Sequence, residues 1–341
     1  MPVTPKEITD LANRLAANIR LKADYKAFLN KERKLLVVEG STDEKFVDKV
    51  KCDNVDCISA IKVFRSNDLF RTAAPAPAIN CKNAIVTLIR GISHYPSPFI
   101  HYPEDVDKWD IYGLVDLDCD ELAGGKPTSR LFVTDTHDLE TLLLSTDSNV
   151  LKNISSCKIL EEDITRALFM ANQLAFVREL LDPYWDGDNF QLSTISCGSH
   201  EVSFGQFFTD YRVNLYELTK YIAVQSGDNL TEAKLKRIYD GARNSKAGRK
   251  RFTKEGIWKQ ETHEFDVPKE IEFWEMVNGH DILQLLGYLN ESVGLAFYQQ
   301  KRGDLNRDFE MSLINAYDCQ NFKKTALYQK MEEANLVLPI A

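Results

Sequence analysis

Residues 34–44 read KLLVVEGSTDE and residues 110–120 read DIYGLVDLDCD, and these two stretches decide the fold. Lys34–Val38 is a short apolar run rich in β-branched residues, too short for a helix and suited to a strand buried on both faces. Glu39-Gly40 ends it. Ser41-Thr42-Asp43-Glu44 then has the spacing of a capping box, and Phe46, Val47 and Val50 supply the apolar stripe of a helix. The second stretch repeats the theme: Asp110–Val115 reads as a strand that ends in Asp116-Leu117-Asp118-Cys119-Asp120. Each is a strand with carboxylates at its carboxyl end.

Working outward, Thr4-Pro5-Lys6-Glu7 is a capping box with proline at the first helical position. Ile8, Leu11, Leu15 and Ile19 follow at helical spacing, and the pattern continues less regularly to Leu29. A second strand is expected at Cys57–Ala60 or Ile61–Phe64, and a helix over Asn83–Ile92 with Ile85, Leu88, Ile89 and Ile92 on one face. His94–Pro103, with three prolines, reads as a loop. Leu131–Thr134 is a further strand, followed by Asp135-Thr136-His137-Asp138-Leu139-Glu140 and a helix. Strands alternating with helices imply an α/β fold with a mainly parallel sheet. Beyond residue 150 helical periodicity takes over, as in Ile164, Leu168, Ala171 and Ala175, or Ile282, Leu285, Leu286 and Leu289. Asp182–Ser199 looks like a linker. The expected organisation is an N-terminal helix over 1–30, an α/β domain over 31–150 and a mostly helical domain over 151–341 for substrate or partner contact.

Composition narrows the function classes. The 341 residues are 44% apolar, enough for ordinary cores, and no apolar run approaches the length of a membrane span. The N-terminal sequence lacks the pattern of a signal peptide, so a cytoplasmic protein is expected. Cys52, Cys57, Cys81, Cys119, Cys157, Cys197 and Cys319 are scattered, with no C-x-x-C, which suggests neither a zinc ribbon nor a disulfide framework. A formal net charge of −9 argues against non-specific coating of a nucleic-acid duplex. It is compatible with an enzyme that gathers carboxylates at a metal site.

Ligands of open parallel sheets bind beyond the carboxyl ends of the strands. Three expected strands end there in acid: Glu39, then Asp116/Asp118/Asp120, then Asp135/Asp138. Acids at i, i+2 and i+4 point to one side. Carboxylate oxygens suit a hard cation such as Mg²⁺ or Mn²⁺, which would relieve their mutual repulsion. A two-metal site could stabilise the attacking and leaving oxygens of a phosphodiester, with Glu39 acting as general acid or base or as a ligand of the second ion. Each half of the pattern is also what helix caps and turns use; it is their combination, in this order, that points to a site.

LLVVEGSTDEKF followed by YGLVDLDCD resembles the Toprim domain of topoisomerases, primases, recombination proteins and OLD-type nucleases. The resemblance implies a metal-dependent catalytic set of Glu39, Asp116 and Asp118. It adds Asp43 as the acid that OLD-type members place in the following helix, and Asp120 extends the D-x-D. VTDTHDLETLLL resembles a later motif of a related bacterial family, which implies Glu140 as a further metal residue; Gly279-His280-Asp281 resembles a segment of that family's helical part. Some members are anti-phage effectors, including the nuclease subunit of the PARIS system, which works with an ABC-type ATPase. What this implies is an Mg²⁺- or Mn²⁺-dependent nuclease acting on RNA, with tRNA one candidate, or on DNA, under the control of a partner ATPase. A homodimer is a further expectation. The alternatives are another Toprim phosphotransfer enzyme and a catalytically silent module that docks on an ATPase.

Ala123-Gly124-Gly125-Lys126-Pro127-Thr128 lacks the spacing of a phosphate loop and reads as a surface turn, although Lys126 could neutralise a phosphate. Residues 243–254 (RNSKAGRKRFTK) are the most basic segment, with Arg243, Lys246, Arg249, Lys250 and Arg251 as candidate contacts to nucleic-acid phosphates and Phe252 and Trp258 as stacking groups. Asp182–Asn189 lacks the spacing of a calcium loop. His280 reads as a structural, hydrogen-bonded residue, and His137 lies between two acids of the proposed site.

Overall fold

The computed structural model describes residues 5–20, 34–53, 61–65, 81–94, 110–117, 129–181, 207–225, 231–244, 258–259, 264–265, 271–297 and 307–336. By its contacts the chain forms two compact units, one of Met1–Leu142 with Tyr317–Ala341, the other of Leu143–Ala316.

The first unit is built on a parallel sheet. Its elements in chain order are α1 (Pro5–Arg20), β1 (Lys34–Val38), α2 (Ser41–Asp53), β2 (Ile61–Arg65), α3 (Cys81–His94), β3 (Asp110–Val115) and β4 (Leu131–Val133). The strand order is β2-β1-β3-β4 and every pairing is parallel. The α/β class and the parallel sheet expected from the sequence are both present. β1 and β3 are the central strands, and Leu35–Val38 and Ile111–Val115 are buried residue after residue, as their unbroken apolar runs require. Of the two positions open for the second strand, Ile61–Arg65 is the one occupied; 57–60 lie outside the described residues, as do 21–29 of the N-terminal helix and the loop at 95–103.

Two glycines mark where helices press on this layer. A Cβ on Gly113 of β3 would stand 2.5 Å from Ile85 Cγ2 and 3.0 Å from Ile89 Cγ1, so α3 lies directly on the central strand. A Cβ on Gly91 would stand 2.4 Å from Ile8 Cγ2, which sets α1 equally close against α3.

The chain leaves β4 through α4 (Leu139–Thr146), and the boundary between the units falls inside that helix. In the second unit α5 (Glu161–Leu181) is the central element, with Ala167–Val177 buried throughout. Leu168, Ala171 and Ala175 belong to that buried stretch, as the periodicity predicts. Phe208–Thr209 (β5) and Arg212–Val213 (β6) form a tight hairpin whose turn residues Asp210 and Tyr211 have φ of 50° and 61°, the left-handed geometry that two-residue hairpin loops need. The buried Gln173 amide of α5 holds it: Oε1 accepts from Val213 N at 2.9 Å and Nε2 donates to Tyr211 O at 2.9 Å. Helices α6 (Leu215–Gln225) and α7 (Glu232–Asn244) follow, then the short pair β7 (Trp258–Lys259) and β8 (Glu264–Phe265). Helices α8 (Ile271–Met276), α9 (Gly279–Leu289), α10 (Glu291–Phe297) and α11 (Arg307–Ala316) complete the unit. Ile282, Leu285 and Leu286 are among the buried residues of α9, which ends at Asn290, whose backbone N–H donates to Leu286 O and whose side-chain Nδ2 donates to Asp163 Oδ2 at 2.7 Å. The linker-like segment 182–199 lies outside the described residues.

The helical region expected over 151–341 divides at Tyr317, because the last helices, α12 (Cys319–Phe322) and α13 (Ala326–Glu333), pack with the sheet unit. Phe322 meets Phe46 of α2 edge-on at 5.1 Å, Tyr317 lies 6.1 Å from the same ring, and Lys34 Nζ donates to Asn335 O at 2.7 Å. Among the described residues no helix is long and apolar enough to cross a membrane.

The close approach at Gly113 makes a direct prediction. Gly113→Val should overpack the α3–β3 contact and lower unfolding stability by about 1–3 kcal/mol; a urea midpoint equal to that of the unsubstituted chain would show that α3 does not seat there.

Candidate metal centre

The sheet order explains why acids collect where they do. From β1 the chain moves outward to β2, then returns to place β3 on the other side of β1. That reversal is a topological switch point, where the connections leaving two neighbouring strands diverge and open a crevice at their carboxyl ends. Glu39 immediately follows β1 and Asp116 immediately follows β3, so both stand at the mouth of that crevice. They are joined directly: Glu39 Oε1 accepts from Asp116 N at 3.0 Å. A carboxylate has about four lone-pair sites, so this bond does not exhaust Glu39 as an oxygen donor.

Asp43 arrives on the first turn of α2. Its Oδ2 accepts from Gly40 N at 2.8 Å, and Glu44 N donates to Gly40 O at 3.3 Å. The capping box expected to start at Ser41 is therefore displaced by one residue: Gly40 holds the cap position and Asp43 the third helical position that reaches back to it. Glu44, the acid expected in that role, instead pairs with Arg65 at 3.3 Å. The displacement turns Asp43 toward the strand end.

The third segment is held by a dense set of hydroxyl contacts. Asp138 caps α4: its Oδ1 accepts from Thr141 N at 2.9 Å, and Thr141 Oγ1 accepts in return from Asp138 N at 3.0 Å. This reciprocal pair fixes the first turn of α4 and with it Glu140, which is buried. His137 Nδ1 lies 3.1 Å from Asp138 Oδ2, and both side chains are buried. Thr134 links this segment to β3, its Oγ1 accepting from Leu117 N at 2.9 Å and donating to Thr136 O at 2.7 Å. Asp135, by contrast, is turned away to structural use: its Oδ2 accepts from Ala326 N and Leu327 N, at 2.6 and 3.1 Å, and caps α13.

The electrostatic consequence centres on Asp116. Its carboxyl is pushed well above the ordinary carboxylate range, first by burial and then by the negative charges of Asp43, Asp138, Glu39 and Glu140. By surface exposure the residue is only half-buried; desolvation still leads because protein surrounds the carboxyl group itself. Four of the residues that the sequence singles out for a metal site — Glu39, Asp43, Asp116 and Glu140 — are thus brought within electrostatic reach of one another, and Asp138 joins them. The donor set is all oxygen, which fits Mg²⁺ or Mn²⁺ and not a softer ion. Helix N-termini offset part of the repulsion, since Asp43 and Glu140 occupy first turns and Asp138 a cap.

One basic group stands at this edge that the sequence reading did not single out. Lys82, the second residue of α3, donates from Nζ to Leu117 O at 3.4 Å. The main chain at 116–117 is thereby held from three sides, by Glu39, Thr134 and Lys82.

Asp118, Asp120, Lys126, Lys246, Arg249, Lys250 and Arg251 lie outside the described residues, as do Phe252 and the 182–189 segment. Arg243 belongs to the second unit, exposed near the end of α7, where Nη1 donates to the Tyr239 hydroxyl at 3.1 Å. His280, on the first turn of α9 and half exposed, places Nδ1 3.4 Å from Glu310 Oε1, a pairing in keeping with a hydrogen-bonded residue. Cys319 is buried as a small apolar side chain would be, and burial raises the Cys157 thiol. No protein-family model matches the chain, and no curated protein is significantly similar to it.

Because the folded chain raises the pKa of Asp116 above its unfolded value, the sign of its pH linkage is fixed. Its contribution to stability is fully present below the unfolded pKa and is lost as pH rises through the raised folded value. The metal-free protein should therefore lose stability over that rise. Asp116→Asn should flatten the loss and raise the melting temperature at neutral pH, and Mg²⁺ should raise that of the unsubstituted chain alone. Superimposable melting-temperature profiles for the two chains, with and without Mg²⁺, would remove the basis for a repulsive carboxylate centre.

Proposed function

We propose that this protein is an Mg²⁺- or Mn²⁺-dependent phosphodiesterase of the Toprim type, a nuclease acting on RNA or DNA. The observation that carries the reading is the convergence of Glu39, Asp43, Asp116 and Glu140 at the switch point of a parallel sheet, with Asp116 held against four other negative charges. Carboxylates crowded in this way are unfavourable unless a cation joins them. Phosphotransfer is the chemistry that such a cation serves best beside a polyanionic substrate.

Glu39, Asp116 and Glu140 would hold the metal, with Asp43 beside them and Asp118 and Asp120 following Asp116 in the chain. When bound, the ion supplies charge to the phosphate and lowers the pKa of water at the site. The chain's own part is positional. The Asp116 N–H orients Glu39, the Asp138–Thr141 cap orients Glu140, and Thr134 fixes the turn after β3. Asp138 contributes charge and orientation, since its Oδ1 is engaged in the cap and its Oδ2 lies against His137.

The resemblance of residues 35–46 and 112–120 to Toprim nucleases supports the same reaction class. Extension to an anti-phage effector working with an ABC-type ATPase, and to tRNA as target, rests on that resemblance alone. Arg243 and the basic residues after it are the proposed phosphate contacts of the second unit.

The test is Mg²⁺ and Mn²⁺ titration of the full chain against mixed RNA and DNA, with and without an ABC-type ATPase encoded beside it. Glu39→Ala should cut metal-dependent cleavage by at least ~100-fold, beyond what is usual for groups that act only through a metal's ligands, while circular dichroism stays unchanged. Cleavage retained in that variant would sink the assignment. Nucleic-acid binding without turnover under every condition would favour a silent docking module.

A further inference from the structure

Resting on the phosphotransfer reading above, we infer that the C-terminal segment 317–333 is a brace across the carboxylate centre, and that Asp135 is the positioning residue that ties it there. Three observations carry this. First, Asp135 Oδ2 accepts from Ala326 N at 2.6 Å and from Leu327 N at 3.1 Å, across 191 and 192 positions of sequence. These are the first two residues of α13, whose N–H groups an α-helix leaves without internal partners. The buried Thr325 takes the third, its Oγ1 accepting from Tyr328 N at 3.0 Å. The start of α13 is thus satisfied by its own cap and by one carboxylate from the turn after β4.

Second, that turn is the one that holds the site. On one side of Asp135, Thr134 Oγ1 accepts from Leu117 N, next to Asp116. On the other, Thr136 Oγ1 donates to Asp138 O at 3.2 Å and accepts from Thr141 Oγ1 at 3.1 Å, which joins it to the cap that carries Glu140. Asp135 therefore stands between the two hydroxyl contacts that fix Asp116 and Glu140.

Third, the same segment packs on the opposite flank of the centre. Phe322 and Tyr317 contact the Phe46 ring of α2, one turn on from Asp43. Phe322 also meets Tyr328 of α13 edge-on at 5.6 Å, and all four rings are buried. One packed piece of chain thereby reaches from the helix of Asp43 to the turn of Asp138 and Glu140. Carboxylates that repel one another draw apart unless their backbones are held, and this piece holds two of those backbones at once.

Asp135→Ala removes the acceptor, whereas Asp135→Asn removes the charge and keeps an oxygen for the same N–H groups. Thr325→Ala loosens the same helix start from outside the turn. Mn²⁺ is titrated into each full chain and followed by its paramagnetic resonance signal, with amide hydrogen exchange measured on the metal-free proteins. Asp135→Ala should weaken Mn²⁺ by at least about tenfold, as loss of an outer partner of a metal site does, and speed exchange over residues 134–141. Thr325→Ala should shift both in the same direction, and it carries the test if Asp135→Ala fails to fold. Asp135→Asn should recover most of the loss. Mn²⁺ affinity within about twofold of the unsubstituted chain in both alanine variants overturns the inference. Asp135→Asn as weak as Asp135→Ala overturns it as well, by showing that Asp135 acts through its charge and not as a partner of α13. Failure of the unsubstituted chain to bind Mn²⁺ saturably is a different result: it overturns the phosphotransfer reading and this inference with it.

Discussion

Parallel pairing of Lys34–Val38 with Asp110–Val115 puts two acid-tipped strands side by side, and the sheet unit is organised around the repulsion that results. Val38 pairs with Leu114, so Glu39, one residue past the first, and Asp116, two residues past the second, meet at the same edge. Either acid alone would be an ordinary polar strand end. Together, partly removed from water and joined by Asp43, Asp138 and Glu140, they make the folded chain hold a proton on Asp116 more tightly than an isolated carboxyl does. A fold that merely minimised its energy would separate these groups.

What makes the arrangement tolerable is local. Backbone N–H groups and helix starts are the cheapest partners for carboxylates, and a βα connection delivers both to the carboxyl edge of a sheet. Asp43 takes the Gly40 N–H, Asp138 takes the Thr141 N–H, and Glu39 takes the N–H of the very residue whose charge opposes it. Threonine hydroxyls complete the frame, because Thr134, Thr136 and Thr141 relay hydrogen bonds among main-chain groups without adding charge. The frame is held by main-chain hydrogen bonds while the carboxylates within it repel one another.

The sequence shows some of this plainly and hides the rest for identifiable reasons. β1 and β3 are legible because buried parallel strands leave continuous apolar runs, and the acids after them stand out against that background. Strand order is not legible, so the switch point between β1 and β3 cannot be read from periodicity. Asp135 and Asp138 look alike in sequence, yet one caps α13 and the other caps α4, since the helix that claims Asp135 lies 191 residues away. The one-residue displacement of the cap at Gly40 escapes a pattern that weighs serine above glycine. Thr134 and Lys82 act on Leu117 across 17 and 35 residues, and nothing in their local patterns announces it. The return of residues 317–336 to the sheet unit is hidden for the same reason: helical periodicity says that a face is buried, not against what.

On the proposed phosphotransfer reading, charge balance gives these parts an order of action. The chain carries a formal −9, and its first unit gathers five carboxylates at one edge. A phosphate approaching that edge meets like charge in a setting poorly screened by water, where such interactions are stronger than at an open surface. A cation must therefore join the carboxylates before a phosphate can, since only then does the edge become attractive to an anion.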